Sequence, residues 1–257
     1  LESKNIKTIF NNPKVGENLR DHLQTKLTYE INSINNYNHI NRNLWNKLKE
    51  LYKYFIHDTG MFKDGIIRAG AFTGTSQNEE KYNFQINLLL GSGKNLDSVD
   101  KFDGISISVN TLNPQSSGFI SIRSNNPKDD PLIYPNYFDH PEDLNKHIKG
   151  IKFIRKIANT KPLSDIILNE KIPGKSINSE DEIIDFIKDT SSTIYHPTGT
   201  CRLGNNDDGV VDKKFNLVGF KNVRVCDASV LPKSINGNPM ATCYLLGYML
   251  NDLIVNK

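Results

Sequence analysis

The chain has 257 residues, enough to bury a sizeable core and to form one large domain or two small ones. Its 37% hydrophobic and 24% charged content is ordinary for a globular protein, and a net charge of +3 with both signs interspersed gives no reason to invoke nucleic acid or a membrane surface. No apolar run approaches the roughly 20 residues of a membrane-spanning helix, and the three cysteines, Cys201, Cys226 and Cys243, build no disulfide framework and no Cys-x-x-Cys metal motif, leaving at most one disulfide open.

In chain order, asparagine is frequent between Asn32 and Asn46, yet Leu44, Trp45, Leu48 and Tyr52 recur at helical spacing. That pattern predicts a solvated helix ended by Gly60, followed by a loop through Gly65 and Gly70 to Gly74. Three stretches then alternate apolar with polar residues: Phe84 to Leu88, Ile105 to Val109 and Phe119 to Arg123. They predict a half-buried antiparallel sheet with one wet face. Gly91-Ser92-Gly93-Lys94, continued by Asn95-Leu96-Asp97, completes neither a dinucleotide fingerprint nor a phosphate loop and is expected to be a hairpin or surface turn.

Asp139-His140-Pro141 opens a helix whose Leu144, Ile148, Ile151, Ile154 and Ile157 face a core. Ser179 and Glu182 form a capping box ahead of Ile183, Ile184 and Ile187, starting a second helix. Val223 to Cys226 has the composition of a short buried strand that ends at Asp227-Ala228, where ligands of open α/β sheets gather. Asn is a preferred helix cap and Pro is favoured at the first helical position, so Asn238-Pro239 predicts a helix start. Ala241, Tyr244, Leu245, Tyr248, Met249 and Leu253 continue it. Its free N–H groups and positive dipole end then lie at Pro239 to Thr242, a place that attracts anions.

His196 stands between Tyr195 and Pro197, with Gly199 close behind, so its backbone is restricted. An imidazole titrates near neutrality and suits proton transfer, although a lone histidine is more often structural. A thiolate reading of Cys201 beside His196 lacks an orienting partner and an oxyanion site.

Three segments, Tyr195-His196-Pro197-Thr198-Gly199-Thr200-Cys201, Val223-Arg224-Val225-Cys226-Asp227-Ala228-Ser229 and Asn236-Gly237-Asn238-Pro239-Met240-Ala241-Thr242, resemble in order and spacing the C-terminal signature of the glucose-methanol-choline (GMC) flavin oxidoreductases. Val15 to His22 resembles the segment by which that family crosses between its flavin-binding and substrate-binding regions. Phe119 to Arg123, Asp130 to Ile133 and Pro135 to Tyr137 look similar to its substrate domain, so the resemblance covers nearly the whole chain.

The resemblance implies FAD as cofactor, a sugar or choline-like alcohol as substrate, and oxygen or a quinone as electron acceptor. It implies that His196 takes the hydroxyl proton while hydride leaves the same carbon for flavin N5. Asn238 is implied as the second catalytic residue, a hydrogen-bonding partner that cannot act as a base. Asp227, Ala228, Asn238, Pro239 and Met240 are the implied cofactor contacts. His22 is read as a satisfied buried histidine near the flavin. The implied fold is α+β: a mainly antiparallel sheet with helices on one face, plus terminal segments completing an FAD-binding α/β domain whose N-terminal part is missing. Residues 1–24 would associate with the FAD domain, 25–198 form the substrate domain and 199–257 return to the FAD domain.

No Gly-x-Gly-x-x-Gly turn is present, and the chain opens at Leu1-Glu2-Ser3-Lys4 without methionine or leader. The expectation is therefore the C-terminal half of a larger enzyme. Insect-like members favour secretion, with the compartment otherwise open. The runner-up is a truncated, non-catalytic relative that binds a small ligand without flavin.

Overall fold

A computed structural model describes residues 1–33, 36–74, 82–94, 98–205 and 208–255 of the chain. Its elements are, in order, β1 (Leu23–Ile31), α1 (Tyr37–Asn41), α2 (Leu44–His57), α3 (Met61–Asp64), β2 (Ile67–Thr73), β3 (Phe84–Leu89), β4 (Gly104–Thr111), β5 (Phe119–Ser121), β6 (Leu132–Tyr134), α4 (Pro141–Ala158), α5 (Leu163–Ile166), β7 (Ile167–Ile172), α6 (Glu180–Thr190), β8 (Ser192–Thr193) and α7 (Met240–Val255). They divide between two compact units. One gathers residues 24–111 and 144–192, the other residues 1–23, 112–143 and 193–257. By this division 112–143 groups with the two chain ends.

The first unit is built on an antiparallel strand path, β2-β3-β4-β1-β7. One face carries Leu27 and Tyr29 of β1, Ile105, Ile107 and Val109 of β4, and Phe84 and Ile86 of β3, all buried. α4 lies on that face. Its predicted stripe is there, with Ile148, Ile151 and Ile154 buried, and a Cβ at Gly150 would stand 2.6 Å from the Val109 side chain, so only glycine allows this approach. His147 of α4 reaches Thr25 with Nδ1 and Thr111 with Nε2, both at 2.9 Å, and Thr25 in turn meets Ser191 at 2.7 Å. Arg155 clamps Glu170 of β7 through Nε at 3.1 Å and a terminal nitrogen at 2.7 Å. α6 starts with the predicted capping box between Ser179 and Glu182 and buries Ile183 and Ile187.

Two expectations need correction, and a third is met in part. The Gly65–Gly74 loop holds the strand β2, which pairs with β3 from Ile67↔Leu89 to Thr73↔Phe84. As an edge strand exposed along nearly its whole length and carrying glycine, it has no alternation to read. The wet face fails in β4, where Ser106, Ser108 and Asn110 are at most 2% exposed. β4 sits between β3 and β1 with both of its faces covered, and such a strand loses the inside–outside contrast. The turn after β3 closes through an antiparallel Gly93↔Val99 bridge, but Ser92 is buried and holds Asn38, so it is not a surface feature; Asn95, Leu96 and Asp97 lie outside the described residues.

The second unit contains the β5–β6 hairpin and α7. Val210, Val211, Phe215, Val230 and Leu246 form its buried cluster, with Cys201, Leu203 and Cys226 packed around it. All three cysteines are free. Val223 to Cys226 is not a strand: it makes a single bridge, Asn216↔Arg224, flanked by bonds from Leu217 N to Val223 O and from Val225 N to Phe215 O, and Val223 is exposed. Among the described residues it has one pairing neighbour, too little for a buried ladder.

Candidate active site

Residues 16–22 and 194–200 run beside each other in the second unit. Arg20 and Thr198 exchange backbone bonds of 3.0 and 2.8 Å, Gly16 N donates to Thr200 O at 2.9 Å, and Ile194 N donates to His22 O. Gly199 has a φ of +92° and a Cβ there would lie 2.2 Å from the Asn18 carbonyl, so the crossing of the two segments needs glycine. Asn18 ties them further, donating from its amide to Gly199 O and Pro232 O.

This pairing places two histidine rings in contact. Nδ1 of His22 and Nδ1 of His196 are 3.2 Å apart, with ring planes at 84°. Asp21 organises both: Oδ1 accepts from the backbone N–H of His22 at 2.8 Å and of His196 at 3.0 Å, while Oδ2 accepts from the hydroxyls of Tyr137, at 2.6 Å, and Thr193. Tyr195 enters the site at φ +62°, a left-handed conformation that a Cβ-bearing residue holds at a cost of roughly 1–2 kcal/mol.

The electrostatics follow from burial. His22 is 1% exposed, and desolvation, helped by the neighbouring His196, pushes its pKa down from 6.5 to about 4 against the opposing pull of Asp21. His196 is also lowered, by desolvation, with Asp21 pulling it back up. Tyr137 is raised, by desolvation and then by its bond to Asp21. Near neutral pH both imidazoles are therefore uncharged, so a hydrogen bond between the two Nδ1 atoms requires one of them to carry its ring's proton and the other to be bare. Nε2 of His22 is buried without a well-formed hydrogen bond, although the Ile235 backbone favours a proton on this ring.

The remaining predicted residues lie in the same unit. Asp227 is exposed and its carboxylate accepts from Ser229 N at 2.8 Å, capping the single turn Ala228–Val230. That turn is fastened to the His196 loop by Cys201 N to Ser229 O at 2.9 Å and Leu203 N to Val230 O at 2.8 Å. Asn238 and Met240 are exposed. The helix starts one residue later than expected: α7 begins at Met240, and Pro239, whose carbonyl accepts from Cys243 N, occupies the cap position. Asn238 precedes the cap, and its side chain makes no hydrogen bond among the described residues. The ring of His196 is bonded to His22, not to Asn238.

The sequence places His22 as a buried histidine, which it is, but does not reveal its contact with His196, nor the parts played by Asp21 and Tyr137. An Asp-His pair directly ahead of an alternating stretch was the available signal, and its partner lies 174 residues away.

A family model described as GMC oxidoreductase, covering its C-terminal part, matches residues 114–247. The chain belongs to the GMC oxidoreductase family. Within that family an alcohol dehydrogenase (acceptor) from Pseudomonas putida is 33% identical across the whole chain, which covers 47% of that protein. An oxygen-dependent choline dehydrogenase from Citrobacter koseri is 30% identical over 99% of the chain and 46% of its own length. Formate oxidase from Aspergillus oryzae RIB40, a structure concerned with FAD modification, superposes with a TM-score of 0.90 at 22% identity over 98% of the chain and 49% of its own. An FAD-dependent oxidoreductase from Chaetomium thermophilum does so at 0.86 and 20%, over 98% of the chain and 50% of its own. These likenesses show the GMC fold, with its antiparallel sheet and packed helices. The chain spans about half the length of these relatives.

Proposed function

We propose that the chain serves as the C-terminal part of an FAD-dependent oxidoreductase that oxidises the CH–OH group of an alcohol, in the sugar or choline-like class, with oxygen or a quinone as final acceptor. In this reading residues 1–24 and 199–257 serve the flavin side and residues 25–198 serve the substrate. The observation that carries it is the His22–His196 contact, because it prepares a base in the second unit.

The residues present fit the cofactor. The N-terminal turn of α7, a 16-residue helix, offers unpaired N–H groups and the positive end of a dipole at an exposed position. Asn238, Pro239 and Met240 would hold the pyrimidine edge of the flavin there, and Asp227 and Ala228 its ribityl-diphosphate stretch. When bound, FAD supplies the hydride acceptor. The chain's own task is the hydroxyl proton.

His196 donates its Nδ1–H to Nδ1 of His22, which leaves Nε2 of His196 with a free lone pair, and His22 keeps its single proton on the buried Nε2. Asp21 fixes the His196 backbone, so the ring cannot withdraw from this partnership. Burial keeps His196 unprotonated near neutral pH, so it stands ready to accept the alcohol proton as general base. The free amide of Asn238 donates a hydrogen bond to the alcohol oxygen as negative charge grows on it.

The test is rapid mixing of alcohol with the complete flavin-loaded protein. His196→Ala should slow substrate-dependent flavin reduction by about a hundred- to ten-thousand-fold at unchanged flavin content. Reduction at the parent rate removes His196 from the chemistry, and a colourless protein that binds the alcohol favours the binding-module reading.

A further inference from the structure

α2 is fastened to its unit by the wrong side for a soluble helix. At about 100° per residue, Leu44, Leu48, Leu51 and Phe55 form the centre of one face, with Trp45 and Ile56 beside them. These six side chains are 40–75% exposed. The opposite side carries Glu50, the one buried residue of the helix, whose carboxylate accepts from Met61 N at 2.9 Å and pairs with Lys53. Gly60 packs against that carboxylate so closely that a Cβ would stand 2.7 Å from it. An amphipathic helix of a globular protein normally buries its apolar stripe, whereas α2 buries its acid and presents its oil.

The charges that α2 itself carries beside this face are of one sign. Lys47 and Lys49 fall on its two borders, Lys53 and His57 lie behind, and the only acid of α2 is Glu50, turned inward. Lysine stems lie along apolar matter while their ammonium groups stay in water, and tryptophan prefers the boundary between the two. No helix among the described residues is long and apolar enough to cross a bilayer. A lysine-bordered apolar face with tryptophan on it, on a helix too short to span, is the pattern of a helix that lies in a membrane interface.

We propose that α2 is a lipid-docking helix, seating its Leu44–Phe55 face in the headgroup–acyl boundary of a bilayer with Lys47 and Lys49 against anionic phospholipid headgroups. The inference is independent of the flavin chemistry. Trp45 is the chain's only tryptophan, so its fluorescence reports on α2 alone. With vesicles of phosphatidylcholine and phosphatidylglycerol, its emission should shift to the blue and be quenched by lipids brominated in the acyl chain, with a weaker response to phosphatidylcholine alone. Leu48→Ser with Phe55→Ser should abolish sedimentation with the vesicles, and Lys47→Glu with Lys49→Glu should weaken it at least about tenfold. Leu48 and Phe55 lie off the Glu50 side, Lys47 stands one turn before it, and unchanged circular dichroism and urea midpoints identify variants that still fold. The complete protein should co-sediment as the chain does. The proposal is overturned if Trp45 emission does not respond, if both variants bind as the parent does, if the complete protein stays in solution, or if the face instead holds two copies together, seen as a dimer that the serine variant splits without any vesicle response.

Discussion

Nδ1 of His22 faces Nδ1 of His196 at 3.2 Å, and in the proposed arrangement His196 supplies the hydrogen and His22 the acceptor. A carbon side chain at position 22 removes the acceptor that selects the His196 tautomer. His22→Leu should therefore lower turnover by at least about tenfold at normal flavin content. Nitrogen NMR of histidine-labelled protein should then show His196 losing its pure Nδ1–H form, a readout that a role in packing alone would leave unmoved.

Burial of His22 also links stability to pH. Its pKa is about 4 in the folded chain and 6.5 unfolded, so the unfolded state binds the extra proton first as pH falls. The contribution is fully present above 6.5 and is lost progressively from there down to 4, roughly 3 kcal/mol in all. Urea midpoints taken between pH 8 and 4 should fall steeply for the parent and less steeply for His22→Leu. Parallel curves would contradict the assignment.

Asp21→Asn keeps the shape of its hub but loses the charge. Its amide nitrogen then faces the Tyr137 and Thr193 hydroxyls, which must turn from donors into acceptors, so the variant should be destabilised by about 1–3 kcal/mol. Asp21 raises the His196 pKa, so its neutralisation should move the acidic limb of the pH–rate profile to lower pH while the plateau drops. An acidic limb that moves upward would be inconsistent with this electrostatic role.

Asn238 precedes the α7 cap and makes no capping bond. Asn238→Ala should change the melting free energy by less than about 0.5 kcal/mol, as surface substitutions usually do, yet slow flavin reduction. A large loss of stability with normal reduction would assign the residue to the helix and not to the site.

Glu170 is the buried partner of Arg155, each making part of a two-pronged contact. Glu170→Ala leaves a half-buried guanidinium with only carbonyl partners and should cost about 3 kcal/mol in urea denaturation. Arg155→Met with Glu170→Leu should recover much of it.

Local signals were legible in the sequence wherever they sufficed. The capping box of Ser179 and Glu182 and the isoleucine stripe of α4 each depend on neighbours within a few turns, and both stand as read. β1 alternates from Leu23 to Ile31, a signal that the adjoining Val15–His22 motif obscures, and β2 carries too little side-chain contrast to register. The periodicity of Leu44, Trp45, Leu48 and Tyr52 announces a helix without revealing which face it turns inward, because that choice is made by Glu50 and Gly60. His22 looked like an ordinary core histidine for a similar reason: nothing near it in sequence says that a second ring will meet it.

Asp21 joins residues 116, 172 and 175 positions away along the chain. Contacts of such separation require closing very long loops, which folding reaches late. The histidine pair is thus assembled only when chain segments from three distant regions have converged, and a partly folded molecule carries no working base. Proton-transfer competence appears together with completion of the second unit, so recovery of activity after dilution from denaturant should lag behind recovery of the α4 and α6 helices.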